Sequence, residues 1–282
     1  MTGGVHWRAD LFARAFHDRV LHGAGFMLAK DADGEETMYA TWMGGQDYQN
    51  ASPMYGAYPK GFLQGALSLF PDAKRILHLF SGSLTADQVR NARTGPEPVQ
   101  LRFDNGRHPA AAAAKPDIIG DAEQLSMLWA RYSGGVRDVP LFDLILADPP
   151  YRLPDQRRYW RESMWALDDS SKGCTKCGWL PSAHKPVYLK STREGRLLCP
   201  IGPELSKLIW ELDHSGYMRF QPLKKKLVIQ QAAAVLAPGG WLVWLDEIRP
   251  PYDNERWRFR GGICLVRSTN HRIRYATFLE RR

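Results

Sequence analysis

The run Asp148-Pro149-Pro150-Tyr151 closes a strand-like apolar stretch, Phe142 to Ala147, and is the most chemically specific feature of the chain. Two prolines after an aspartate fix φ and remove two N–H donors, which releases the backbone from a sheet ladder. The Asp148 carboxylate and the Pro149 carbonyl can then face a cleft as fixed hydrogen-bond acceptors. Tyr151 adds a flat ring on which a planar group can stack. The competing reading is that Asp-Pro-Pro simply terminates a strand, so what stands at the ends of neighbouring strands matters.

Three other strand-like runs end in residues that suit a ligand. Arg75 to Phe80 leads into Ser81-Gly82-Ser83, a small-residue turn whose backbone N–H groups could approach a ligand closely, since Gly82 lacks a Cβ. Val99 to Phe103 leads into Asp104, where, roughly twenty residues on, an acid can accept hydrogen bonds from ribose hydroxyls; Asp104 also opens Asp-Asn-Gly, a strong turn sequence. Asp117 to Ile119 leads into Gly120-Asp121-Ala122. Asp121 could accept from an adenine amino group, or cap the helix that starts at Ala122. Each has a plain structural reading alone; in order, they describe an adenosyl pocket.

The elements that must position these residues follow from the same pattern. Short apolar runs, each followed by turn residues and separated by helical or polar stretches, read as buried parallel strands. The fifth run, Trp241 to Leu245, is reached from a helical stretch, Leu223 to Leu236, through Ala237-Pro-Gly-Gly240. Ile263 to Arg267 and Ile273 to Leu279 read as an antiparallel hairpin. The expected fold is α/β: a doubly wound, seven-stranded, mostly parallel sheet with a C-terminal antiparallel hairpin. In such open sheets ligands bind outside the carboxyl ends of the strands, at the switch in strand order. Residues 1–73 read as an N-terminal extension, helical over 7–21, irregular over 24–60 and helical again from Gly61 to Phe70. Residues 74–282 form the main domain. About 90 residues separate the fourth strand from the fifth, more than one crossover requires, so 152–220 reads as an insertion. The second crossover, Asn105 to Pro116 with five consecutive alanines, must be short.

On these residues the chain resembles the class I, Rossmann-like S-adenosylmethionine-dependent methyltransferases, specifically the amino-methyltransferases that carry an Asp/Asn-Pro-Pro-Tyr/Phe motif. The resemblance covers roughly Lys74 to Arg282. It implies a cofactor loop at Phe80, Ser81, Gly82 and Ser83, a ribose-binding acid at Asp104, an adenine contact at Asp121 and Ala122, and a catalytic motif at Asp148, Pro149, Pro150 and Tyr151. The first loop has one glycine where the family often has two or three. The implied cofactor is S-adenosylmethionine and the implied reaction is methyl transfer to an exocyclic amino group. The acidic, tyrosine-bearing motif in a basic chain is most similar to DNA adenine-N6 methyltransferases. RNA adenine or guanine N-methylation would use the same chemistry. A reading from a different class is a catalytically inactive nucleic-acid-binding protein on the same fold.

Charge supports a polyanionic partner, DNA favoured over RNA. The net charge is +8, and eight arginines stand between Arg256 and Arg282 against one acid, Glu280. A solvated basic face is the plainer account of any one cluster. Hydrophobic content of 44% and charged content of 24% are ordinary for a globular protein. No apolar run reaches the roughly 18 residues of a membrane span, and charged residues interrupt the N-terminus, so a cytoplasmic protein is expected.

Four cysteines do not make a disulfide framework in a chain this long. Cys174 and Cys177 have the spacing of a zinc knuckle, and His184 and Cys199 could complete a tetrahedral site; a pair of free thiols on a surface loop is the other reading. Cys264 reads as packing within the hairpin, His78 as a satisfied core histidine inside the first strand. Tyr55, Tyr58 and Lys60 precede that strand and either line the cleft or pack as a loop.

Overall fold

The computed structural model describes residues 26–30, 34, 36–44, 58–59, 61–92, 98–105, 109–134, 139–150, 156, 185–188, 195–198, 222–267 and 273–282. Two compact units divide the chain: Met1–Gly106, Ala110–Tyr151 and Lys224–Arg282 form one, Arg107–Pro109 and Arg152–Leu223 the other.

The larger unit is organised on a sheet whose parallel centre is β3 (Arg75–Leu79), β4 (Val99–Asp104), β5 (Ile118–Ile119), β6 (Phe142–Ala147) and β9 (Leu236–Asp246). From β3, the chain winds outward through β4 to β5 on one side and through β6 to β9 on the other. The switch in strand order therefore lies between β3 and β6. Beyond β9 comes the terminal hairpin of β10 (Trp257–Arg267) and β11 (Ile273–Arg281), with β11 inserted antiparallel between β9 and β10. These seven strands form the doubly wound, mostly parallel sheet with a reversed terminal strand that the sequence pattern implies.

The central strands read as unbroken apolar runs because both their faces are covered. Ile76, Leu144, Leu146, Trp241, Val243, Leu245 and Phe278 pack in one cluster with Phe62, Ala66 and Leu67 of helix α1 (Phe62–Ser68) and with Phe70 beyond it. Alternate residues of the same strands face the other way; among them Leu77, Ile145, Leu242 and Trp244 are fully buried. Full burial of one such aliphatic side chain contributes about 1.5–3 kcal/mol. Short helices α2 (Ala86–Asn91) and α3 (Pro109–Ala114) follow β3 and β4. The crossover into β5 is thus as short as the alanine run demands. Ahead of β6 lies a 3₁₀ turn, Ala122–Gln124, running into α4 (Leu125–Tyr132). Helix α5 (Lys225–Val235) leads directly into β9 and is tied to α4 by Ser126, whose N–H and hydroxyl both donate to Gln231 Oε1.

Among the described residues the sheet has nine strands, and the two additional ones correct the reading of 24–60 as irregular. A hairpin, β1 (Phe26–Lys30) and β2 (Glu36–Gly44), adds to the sheet edge, with β2 parallel to β10. Met38 and Ala40 enter the core while Tyr39 between them and Thr41 after them stay half-buried, an alternation too short to stand out among the tyrosines and glycines. Close approach of β2 depends on Gly261, at φ 122, where a Cβ would lie 1.8 Å from the Met38 carbonyl oxygen. The residues expected to form the 7–21 helix lie outside the described ones.

In the smaller unit, β7 (Lys185–Tyr188) and β8 (Gly195–Leu198) form a two-stranded antiparallel hairpin inside the segment expected to be an insertion. Among the described residues no helix is long and apolar enough to cross a membrane.

Candidate active site

The turn after β3 is bent sharply at Phe80, φ 60, and Gly82, φ 51. Its backbone is then fastened to the end of β4. Ser81 N–H donates to the Phe103 carbonyl at 3.0 Å, and Gly82 N–H donates to Asp104 Oδ2 at 2.9 Å. A capping box follows at once: Thr85 Oγ1 accepts from Gln88 N–H while Gln88 Oε1 accepts from Thr85 N–H. Ser81 and Ser83, 2% and 8% exposed, each bury a hydroxyl with no hydrogen-bond partner among the described residues. Such a group costs about 1–3 kcal/mol, and a polar ligand in the turn would supply the missing partner.

Asp104 therefore braces the turn with one oxygen. Asp121 is exposed and accepts from Glu123 N–H at 2.9 Å, so it caps the 3₁₀ turn, with Ala122 buried behind it. Arg102, which the sequence did not single out, organises this side of the sheet. Buried on β4, it forms bonds to both oxygens of Asp117 at 3.0 Å, to Leu84 O at 3.2 Å, and to Ala114 O and Lys115 O at 2.8 Å. Partial burial pushes the Asp117 carboxyl upward, but the hydrogen bonds and charge of Arg102 outweigh it and hold the group below its ordinary range. One guanidinium thus joins the end of the β3 turn to both ends of the α3–β5 link.

At the carboxyl end of β6, Asp148 is 7% exposed, and its N–H reaches the Leu79 carbonyl at 3.3 Å. Pro149 is buried and Pro150 half-buried; Tyr151 lies outside the described residues. Two side chains the sequence left ambiguous or unnoticed approach Asp148. Arg274, on the reversed strand β11, brings Nη1 to 3.8 Å from Asp148 Oδ2. Tyr58, ahead of α1, donates its hydroxyl to the Leu146 carbonyl at 3.0 Å and stands edge-on to His78 with centroids 5.9 Å apart. Tyr55 and Lys60 lie outside the described residues.

His78 is a satisfied interior histidine, as its place in β3 suggests. Gln100 donates its amide N–H to Val89 O, which turns its Oε1 to His78 Nε2 at 3.0 Å. Because that oxygen only accepts, Nε2 carries the proton, and Nδ1 is left as an acceptor 3.4 Å from the Tyr58 hydroxyl. Burial pushes His78 down to about 4, so the ring is neutral near pH 7. Burial, with the charge of Asp148 adding to it, pushes the Tyr58 phenol well above its usual value. Tyr58 is accordingly a neutral donor.

A second buried carboxylate ends β9. Asp246 Oδ2 accepts from Lys225 Nζ at 2.5 Å and Trp244 Nε1 at 3.2 Å, and Oδ1 accepts from Glu247 N–H at 2.8 Å. The Phe80 ring meets Trp244 edge-on at 6.2 Å, so this cluster packs against the aromatic residue of the β3 turn. An acid directly after a buried apolar run was the sequence signal for it, the same signal that marks Asp148.

The proposed metal ligands Cys174, Cys177, His184 and Cys199 all lie outside the described residues. Cys264, in β10, is a half-buried free thiol whose pKa is raised by burial.

The fold is an open α/β sheet whose strand order switches between β3 and β6, with a backbone-rich turn at the end of one strand and a buried carboxylate followed by two prolines at the end of the other. No protein-family model and no curated protein matches the chain. Among solved structures it is similar to TrmN from Thermus thermophilus, at 16% identity and a TM-score of 0.34, over 78% of this chain and 48% of that one. The chain thus spans about half the length of that protein, and a likeness of this size fixes neither activity nor substrate.

Proposed function

We propose that this chain is an S-adenosylmethionine-dependent methyltransferase acting on an exocyclic amino group of a nucleic-acid base, adenine N6 in DNA being the favoured target. The observation that carries the reading is the pairing, across the switch in strand order, of two kinds of feature. One is the Ser81-Gly82-Ser83 turn with its unpartnered buried hydroxyls; the other is the buried Asp148-Pro149-Pro150 terminus of β6.

The turn suits the cofactor: its hydroxyls need partners, its glycine admits a close approach, and Asp104 and Asp121 stand at the two successive strand ends. Phe80, Ser81, Gly82 and Ser83 would hold it, with Asp104 toward the ribose and Asp121 and Ala122 toward the adenine. Bound there, S-adenosylmethionine supplies an electrophilic methyl on a sulfonium.

The protein's own part is to prepare the amine. An exocyclic amino group is a poor nucleophile because its lone pair is delocalised into the ring. Asp148 and the Pro149 carbonyl accept hydrogen bonds from the two N–H groups, which favours a pyramidal nitrogen with its lone pair directed at the methyl. The rigid prolines hold both acceptors in place, so positioning and fixed dipoles provide most of the acceleration. The amino group cannot be reached inside a duplex, so the base must be extruded. Tyr151 would stack on it, a contact worth about 1–3 kcal/mol. Cys174, Cys177, His184 and Cys199 would form a zinc knuckle in the smaller unit, which metal analysis of protein purified without chelator tests.

The deciding experiment is nucleoside mass spectrometry of DNA and of RNA incubated with protein and cofactor. N6-methyladenine in DNA is expected. A methylated base in RNA alone transfers the reading to RNA adenine or guanine. Absence of product in both, together with no calorimetric binding of S-adenosylmethionine, overturns it in favour of a nucleic-acid-binding protein without activity.

A further inference from the structure

We propose that Arg274 is the positioning residue that keeps Asp148 ionised as the acceptor for the substrate amino group, an inference that rests on the methyltransferase reading. A carboxylate as buried as Asp148 is costly to keep charged without a partner, and a carboxylate that takes up a proton loses an acceptor position. The reversed direction of β11 is what makes a partner available. Its first residues lie at the same end of the sheet as the last residues of the parallel strands, with Tyr275 opposite Asp246. β9 intervenes between β6 and β11, and the long arginine side chain crosses it to place Nη1 3.8 Å from Asp148 Oδ2. Both side chains are shielded, 16% and 5% exposed, so water screens the attraction only weakly.

Among the described residues, Tyr58 and His78 near the carboxylate carry no positive charge. Tyr58 faces it from the segment before α1, and its phenol stays protonated. His78 on β3 stands behind Tyr58 and is neutral near pH 7. Among the described residues, Arg274 is a positive charge that the structure sets against Asp148. At 3.8 Å the pair is an ion pair rather than a short bidentate clamp. It fixes the charge without locking both carboxylate edges to the guanidinium.

The test is a titration of Asp148 itself. Full-length protein labelled with [13C]aspartate is titrated by NMR, the Asp148 carboxyl signal being assigned by its loss in Asp148→Asn. Arg274→Met should raise the Asp148 midpoint by about one pH unit, and Arg274→Lys, which keeps the charge, should leave it near the wild-type value. The acid limb of kcat/KM should move up with the midpoint in Arg274→Met and return in Arg274→Lys. Should Arg274→Met not fold, Arg274→Gln makes the same comparison against lysine. A midpoint unchanged on loss of the charge overturns the proposal, as does a pH profile that shifts equally in the lysine variant. Wild-type protein that titrates as expected yet methylates neither DNA nor RNA overturns the functional reading and leaves the pairing standing.

Discussion

The two walls that flank the switch in strand order are built by different physics. On the β3–β4 side, the turn is held by backbone hydrogen bonds, a capping box and the carbonyl-gathering Arg102, and it leaves two buried hydroxyls without partners. On the β6–β9–β11 side, carboxylates are sunk into the protein and answered by cations: Asp148 by Arg274, Asp246 by Lys225. A wall of unpaired small donors suits a polar ligand that must bind and leave; a wall of buried charge suits a group whose protonation state must not drift. Under the proposed function, the first wall binds and the second prepares the amine, so changes on one side should spare the other.

The sharpest way to break that division is Asp148→Ala. Turnover should fall by at least about a hundredfold, as for removal of a fixed polar group aimed at the reacting centre, while calorimetric affinity for S-adenosylmethionine stays within a few-fold. Equal loss of both would mean that Asp148 supports both sides of the switch, and the two walls would not be separable.

Arg102→Met tests the opposite wall. It leaves Asp117 partly buried without its cation and strips three carbonyls of a donor, which should cost about 3–5 kcal/mol in urea-denaturation stability. Cofactor affinity should fall as well, because the guanidinium is bonded to Leu84 at the end of the turn. A stable variant that binds cofactor normally would show that the turn is fastened by Asp104 and the capping box alone.

How much of this was legible in sequence follows from the range of the interactions. The strands, the terminal hairpin and the short second crossover could be read because unbroken apolar runs and local turn residues specify them. The placement of Asp104, Asp121 and Asp148 at strand ends could be read for a similar reason, because a strand end is a local feature: Asp104 closes β4, Asp121 lies two residues past β5 and Asp148 one past β6. Arg102 and Arg274 could not, because what defines them is a partner 15 residues away in one case and on a non-adjacent strand in the other. Tyr58 stayed ambiguous for lack of any local sign that its hydroxyl meets Leu146, 88 positions on. β2 was missed because its buried alternation is brief and becomes meaningful only against Gly261 of β10.

His78 offers a milder test, in which pH replaces mutation as the probe. Its folded pKa, about 4, lies below the ordinary value of 6.5. Between these values the unfolded chain binds a proton that the folded protein does not, so stability falls as pH drops through that window and is fully present above it. The loss should approach about 3 kcal/mol toward pH 4. His78→Gln should flatten this part of the stability profile, read from urea midpoints across the window. A wild-type profile flat between pH 6.5 and 4 would mean that the imidazole gains its proton without penalty, and that Tyr58 rests on a ring that does not stay neutral.

The smallest expected effect is also the one that bears most directly on what the binding wall is for. Ser81→Ala and Ser83→Ala each remove a buried hydroxyl that has no partner among the described residues. Without ligand, the variants should be as stable as wild type or up to about 1 kcal/mol more stable, because an unsatisfied polar group has been removed. With S-adenosylmethionine, each should bind about three- to tenfold more weakly, the equivalent of one lost neutral hydrogen bond. This opposition of signs is the informative quantity, since a residue that merely supports the fold would lower stability and affinity together. If the serine variants lose stability while keeping full affinity, the hydroxyls serve the turn itself and the first wall is not a binding surface.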